Sequence, residues 1–121
     1  YLDDFHIRIK NAKLYYENLK DINEIVIPEF EQSECNGWIN FPIFYKDRDE
    51  LLRYLFFNNR DIAMYFYRNC NKLEIFKKYK NNSLKNIEEV VKEIILLPTY
   101  PKYTEKQILM NIKLIIKYFK K

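Results

Sequence analysis

The segment richest in chemistry is Met64-Tyr65-Phe66-Tyr67-Arg68-Asn69-Cys70-Asn71. Aromatic residues close an apolar run that opens at Ile62, and Arg68, Asn69 and Cys70 follow in polar company. A cation that pairs with carboxylate or phosphate, an amide that donates and accepts, and a thiol suit a binding loop at the end of a strand. Loops held by a rigid sheet are where such groups usually act. The bland account stays open beside this one, because aromatics favour strands for packing reasons alone.

Elsewhere the signals are thinner. His6 is the only histidine. It stands beside Asp3 and Asp4 with no partner set by a motif, so it reads as a surface residue. Cys35 and Cys70 lack zinc-ligand spacing and suggest no disulfide framework, while a single bridge between them stays open. They read as buried or half-buried free thiols of a reducing compartment. Gly37 is the only glycine, so neither common glycine-rich phosphate loop exists here. No catalytic residue and no metal ligand is assigned. Asp47, Asp49, Glu50, Glu88, Glu89 and Glu105 gather at predicted helix starts, where they complement the helix dipole. The lysine groups at Lys77, Lys78 and Lys80 and at Lys113, Lys117, Lys120 and Lys121 read as solvated faces. Basic and aromatic residues interleave at 65–68, but a net charge of +4 is too modest to favour a nucleic-acid partner.

The elements that must position these residues follow from periodicity. Leu2, Phe5, Ile9, Ala12, Tyr16 and Leu19 lie three and four apart and predict a helix over 2–20 with one narrow seam. Ile25-Val26-Ile27 before Pro28 predicts a short strand. Asn36-Gly37 is the strongest turn signal. Trp38 to Tyr45 follows as a strand apolar on both faces, with Pro42 marking an unpaired or bulged edge. Asp47-Arg48-Asp49-Glu50 predicts a capping box for a helix to Asn58, with Leu51, Leu52, Leu55 and Phe56 buried and asparagine at its C-terminal cap. A third strand is expected over 62–67, then a short helix or turn through Leu73, Ile75, Phe76 and Tyr79. Ser83 is set to cap a helix from Leu84 to about Ile95, with Ile87, Val90, Val91 and Ile94 inward. Pro98 and Pro101 force an extended crossing. Thr104 and Gln107 then cap a final helix whose stripe is Ile108, Ile112, Ile115 and Phe119, widened by Leu109 and Ile116.

This order predicts a single small α+β domain: an antiparallel or mixed sheet of about three strands, helices on one face, and a long N-terminal helix. Residues 1–20 form the lead-in helix and 25–121 the body. A chain of 121 residues, 48% hydrophobic and 17% aromatic, is enough for one core. No apolar run approaches the roughly 20 residues of a membrane span, and nothing resembles a signal peptide, so a cytoplasmic protein is expected. An opening at Tyr1 rather than methionine reads as a fragment or a processed chain.

The run Leu97-Pro98-Thr99-Tyr100-Pro101-Lys102-Tyr103-Thr104-Glu105, set between two helices, resembles the C-terminus of the DegT/DnrJ/StrS family of sugar-nucleotide aminotransferases. The resemblance extends over nearly the whole chain. Arg8 to Leu19 resembles the helix leading into that family's small domain, Ile25 to Pro28 the strand after it, and Asp47-Arg48-Asp49-Glu50-Leu51 its Arg-Asp-Glu-Leu run. Asn58 to Tyr67 resembles the third strand, and Glu88 to Phe119 the terminal helices. Where the family commonly carries His-Tyr-Pro-Pro-Leu-His, this chain has Tyr65-Phe66-Tyr67-Arg68-Asn69-Cys70. Asn59 or Arg60 stands where the family has glycine.

The resemblance implies the small domain of a pyridoxal-phosphate enzyme. The parent would move an amino group from an amino-acid donor, usually glutamate, to a keto-sugar nucleotide, and would be a homodimer. It implies Tyr65, Tyr67, Arg68 and Asn69 as substrate-pocket residues. It places the cofactor lysine and phosphate site in a preceding large domain, so no cofactor is expected on this chain alone. The alternative is a free-standing α+β module binding a protein, or less readily RNA, through the first helix or the aromatic strand.

Overall fold

The computed structural model describes residues 2–30, 36–64, 70–80 and 85–120. Four helices and two strands run in the order α1 (Leu2–Leu19), β1 (Asn40–Phe44), α2 (Arg48–Phe57), α3 (Lys85–Glu93), β2 (Ile94–Pro98) and α4 (Glu105–Phe119). Two 3₁₀ turns, Cys70–Lys72 and Glu74–Tyr79, lie between α2 and α3. The class is α+β, as expected, with a long N-terminal helix and an antiparallel sheet.

Among the described residues the sheet has two strands where about three are expected, and its prolines bear on the difference. β1 pairs with β2 in the register Phe41–Leu97, Pro42–Leu96, Ile43–Ile95. The Tyr45 amide donates to the Glu93 carbonyl at 3.0 Å and sets the phase of this ladder. Phe44 and Leu96 therefore turn their backbone groups outward. Phe44 exchanges bonds of 2.9 and 2.8 Å with Val26, and Leu96 exchanges bonds of 2.8 and 3.4 Å with Ala63. The missing N–H of Pro42 falls on the outward side, so the central ladder loses nothing. Carried on by two residues, these flanking registers set Pro28 against Pro42 and Asp61 against Pro98. Each such pair lacks at least one amide donor, so neither flanking ladder continues in that direction. The expected strand at Ile25–Ile27 is thus a single bridge at Val26, and of the strand expected over 62–67 the described residues show a bridge at Ala63; residues 65–67 lie outside the described residues. β1 begins at Asn40 rather than Trp38, because Trp38 adopts φ 41°. At the expected turn the Asn36 carboxamide oxygen accepts from the Trp38 amide at 3.1 Å, and the left-handed residue is Trp38, not Gly37.

The main correction is β2. The run expected to continue a helix to Ile95 leaves it at Glu93 and pairs as a strand. Ile94-Ile95-Leu96-Leu97 carries β-branched residues and ends at a proline, which suits a strand as well as a helix end. Pairing with β1 decides between them. α3 also turns less inward than expected: Ile87 and Val90 are exposed and Val91 is half-buried.

One core joins the inner sheet face to α1, α2 and α4. Phe41, Ile43, Ile95 and Leu97 meet Ala12, Tyr15 and Leu19, Leu51 and Leu55, and Ile108, Ile112 and Ile115, all buried. Tyr15 stacks on Phe41 at 5.7 Å, Phe41 on Trp38 at 5.5 Å, and Trp38 on Phe30 at 5.3 Å. The seam of α1 is rotated from the expected one: Tyr15 is buried and Tyr16 is half-buried against Phe30. On α4, Leu109 is exposed and Asn111 takes a buried place.

Candidate functional site

The site begins where α2 ends. Asn58 and Asn59 close the helix as expected, with Asn59 at φ 57°. The Asn59 amide donates to Phe56 O at 2.9 Å and the Arg60 amide to Leu55 O at 3.0 Å. This pair of bonds around a left-handed residue is the Schellman stop, and asparagine tolerates it better than most side chains. The chain reverses there and returns to the sheet edge, where Ala63 bonds to Leu96. Residues 65–69 follow directly. Tyr65, Tyr67, Arg68 and Asn69, the sequence-derived pocket residues, lie outside the described residues. Their flanks are held on one side by the Ala63 bridge and on the other by the 3₁₀ turn from Cys70.

Between α2 and this returning segment runs an open groove of about 750 Å³. Leu52, Phe56, Phe57, Ile62 and Met64 give it apolar walls, and Asp49, Arg53 and Arg60 add charge. Phe56 is 74% exposed and Phe57 79% exposed, which corrects the expectation that Phe56 is buried. Leu51 and Leu55 already fill the inward face of α2, and Phe56 and Phe57 fall outside that stripe. Sequence reasoning missed Arg53, Phe57 and Arg60. The signal for the aromatic pair was adjacency: two neighbouring residues on a helix lie roughly 100° apart and do not share one narrow face. The groove carries aromatic faces beside guanidinium groups, a lining that takes planar or anionic ligands.

The core also holds a buried polar cluster that sequence reasoning did not find. Asn111 Nδ2 donates to the Tyr15 hydroxyl at 3.0 Å and to the Tyr103 hydroxyl at 3.0 Å. Burial raises the Tyr15 hydroxyl well above the ordinary tyrosine range; the Asn111 bond and the charge of Arg60 oppose that rise. Asn11 Nδ2 donates to Thr99 O at 3.0 Å, and the Thr99 hydroxyl lies within bonding reach of the Trp38 and Ile39 carbonyls. These bonds pin α1 to the corner before α4. Tyr100, at that corner, has its hydroxyl raised by desolvation and by Asp61.

Cys70 is exposed, not buried or half-buried as expected, and Cys35 lies outside the described residues. His6 is exposed. Among the described residues no group of three or more His, Cys, Asp or Glu is placed to hold a metal ion. A lysine that carries a cofactor as an imine is activated by desolvation. Every lysine whose burial is described is exposed in this chain. Among the described residues no helix is long and apolar enough to cross a membrane.

The fold and the order of these elements define a class. The model of the DegT/DnrJ/EryC1/StrS aminotransferase family matches residues 2–113. The chain belongs to this family. Among solved structures, a DegT DnrJ EryC1 StrS aminotransferase from Brucella abortus superposes with TM-score 0.86 at 24% identity over 98% of this chain and 32% of that one. DesV of S. venezuelae, in complex with a ketimine intermediate, gives TM-score 0.89 at 19% identity over 98% of this chain and 33% of that one. NtdA of Bacillus subtilis, with bound cofactor PMP, gives 0.85 at 21% identity over 98% and 29%. At these identities the likeness is one of fold. The chain spans about a third of the length of these structures. No curated protein matches it.

Proposed function

We propose that this chain is the small C-terminal domain of a pyridoxal-phosphate aminotransferase that acts on a keto-sugar nucleotide. The observation that carries this reading is the family match over residues 2–113 together with a span of 32% of the Brucella abortus enzyme. The rest of the parent is then a large domain that bears the cofactor lysine, and 1–121 is one small domain whose residues 1–20 lead in from it. The PMP bound to NtdA and the ketimine in DesV support the cofactor. The chain's own part is to close the active site. Residues 65–69 follow the groove-lining Met64 in the sequence, and Tyr65, Tyr67, Arg68 and Asn69 shape the substrate pocket. An aromatic ring packs against the flat parts of a nucleotide, and a guanidinium pairs with its phosphates. The parent is a cytoplasmic homodimer and takes its amino group from an amino acid such as glutamate. The small domain alone is inactive.

The test is to purify the chain extended upstream of Tyr1 and scan it for the visible absorbance of bound pyridoxal phosphate. Absorbance, with transamination of a keto-sugar nucleotide, supports the reading. Within that protein, Arg68→Ala should raise KM for the sugar nucleotide more than tenfold, since a charged hydrogen bond is worth about 1.5–3 kcal/mol. It should leave KM for the amino donor unchanged. An extended chain that binds no cofactor sinks the enzyme reading, and the interaction-module alternative then leads.

A further inference from the structure

The groove beside α2 has one wall that the fold leaves unfinished. Ala63 exchanges both of its backbone bonds with Leu96, so its two neighbours turn their backbone groups to the opposite side. Among the described residues, the amides and carbonyls of Ile62 and Met64 take part in no backbone hydrogen bond. They make an open sheet edge, a ready template for another strand. That edge is one bank of the groove of about 750 Å³, and α2 is the other. On α2 the exposed rings of Phe56 and Phe57 meet edge to face with centroids 6.3 Å apart. Rings already packed on one another form a ridge that needs little further ordering when a partner arrives. Arg53 and Arg60 line the same groove. Arg53 Nε donates to the Asp49 carbonyl at 3.4 Å and Arg60 Nε to the Asn59 carbonyl at 2.9 Å. Among the described residues neither guanidinium pairs with a carboxylate. The Asp49 side chain, which shares the lining, is held by Arg48 at 2.9 Å.

We propose that this groove takes an extended, acidic peptide segment of a partner protein, added as a strand along residues 62–64. Three features of the groove match three features of such a segment. Its main chain bonds to the open groups of Ile62 and Met64, which gives affinity without regard to sequence. Its side chains alternate, so one apolar side chain reaches the ridge of Phe56 and Phe57 while its neighbours point away. Its carboxylates pair with Arg53 and Arg60, whose planar forks suit them. Aromatic and arginine side chains set side by side are also the residue types that dominate protein–protein contacts. A small ligand fits less well, because sites for small molecules bury most of the ligand's surface and this groove is open. A second copy of this chain fits less well too, because a net charge of +4 gives it no complementarity to a cationic rim.

Residue-resolved amide hydrogen exchange tests this, on the 121-residue chain and on the chain extended upstream, with the probe peptide Asp-Glu-Phe-Val-Glu-Ile-Asp. The peptide should slow exchange at Ile62 and Met64 several-fold in both proteins. A version N-methylated at every backbone amide keeps the side chains and should lose the effect. A version with lysine at each acidic position should bind more than tenfold more weakly, the size expected for charged hydrogen bonds. Arg53→Glu and Phe57→Ser change exposed side chains, so Tm should hold while affinity for the acidic peptide falls about tenfold. Arg53→Glu should also improve binding of the lysine version. No slowing at millimolar acidic peptide overturns the proposal. So does equal binding of the N-methylated or the lysine version, which would make the groove merely adhesive. Slow exchange at Ile62 and Met64 in the extended protein without peptide assigns the edge to the parent's own chain and overturns it. Slowing that grows with the concentration of the short chain alone assigns the edge to a second copy and overturns it as well.

Discussion

Single residues at two places hold the site in shape. Asn59 adopts a left-handed backbone at the end of α2. Asn59→Gly should be neutral within a few tenths of a kcal/mol, whereas Asn59→Val should cost about 1–2 kcal/mol, because a β-branched side chain crowds that conformation. Urea unfolding of the two variants checks this, and equal midpoints would show that the stop does not depend on the residue. Asn111 serves two buried hydroxyls, those of Tyr15 and Tyr103. Asn111→Leu matches the volume but removes both partners, so a loss of about 1–3 kcal/mol is expected, read from thermal unfolding.

At the scale of elements, caps and cross-element bonds divide the work. The Thr104 amide donates to Gln107 Oε1 at 2.8 Å, and the Gln107 amide donates to Thr104 Oγ1 at 3.3 Å, which is the capping box expected for α4. Thr104→Ala should lower stability by about 1 kcal/mol, measured by denaturant titration. The box expected at Asp47 does not form, since the Asp47 side chain makes no cap bond. α2 is held instead by Arg48, whose Nη1 donates to the Val91 carbonyl at 2.7 Å while its Nε bonds Asp49 at 2.9 Å. Arg48→Lys should recover little of the loss caused by Arg48→Ala, because one ammonium does not reproduce a planar fork. A double comparison of melting temperatures decides this; full rescue by lysine would mean that charge alone matters.

For the whole molecule, the tyrosines set the alkaline limit of stability. Burial raises the Tyr15 hydroxyl, and desolvation together with Tyr45 and Glu50 pushes Tyr118 up to about 12. In the unfolded chain both titrate near pH 10, roughly. The folded state therefore keeps protons that the unfolded state releases as pH rises past that value. The contribution is complete below about pH 10 and declines above it. Unfolding free energies measured from pH 8 to 11 should be flat at first and then fall. Tyr15→Phe should flatten the fall, and a slope unchanged by that variant would remove Tyr15 from this account. The exposed Phe56, Phe57, Ile39 and Val26 belong to this scale too, as apolar surface that the described residues leave open.

What the sequence determined by itself was local. The Thr104–Gln107 cap, the asparagine stop of α2, and the stripe of Ile108, Ile112 and Ile115 depend on neighbours within about one or two turns, so spacing alone reveals them. That Pro42, which has no N–H, needs an unpaired or bulged edge was readable for the same reason. What only the tertiary structure decided depended on partners far along the chain. Ile94–Pro98 is a strand because β1 lies beside it, not because its residues exclude a helix. Tyr15 rather than Tyr16 is buried because Phe41 and Asn111 wait on that side of α1. Phe56 is exposed because Leu51 and Leu55 already fill the inward face of α2. Hydrophobicity states that a side chain leaves water if it can; which of several equal candidates does so is settled by the space the rest of the fold leaves.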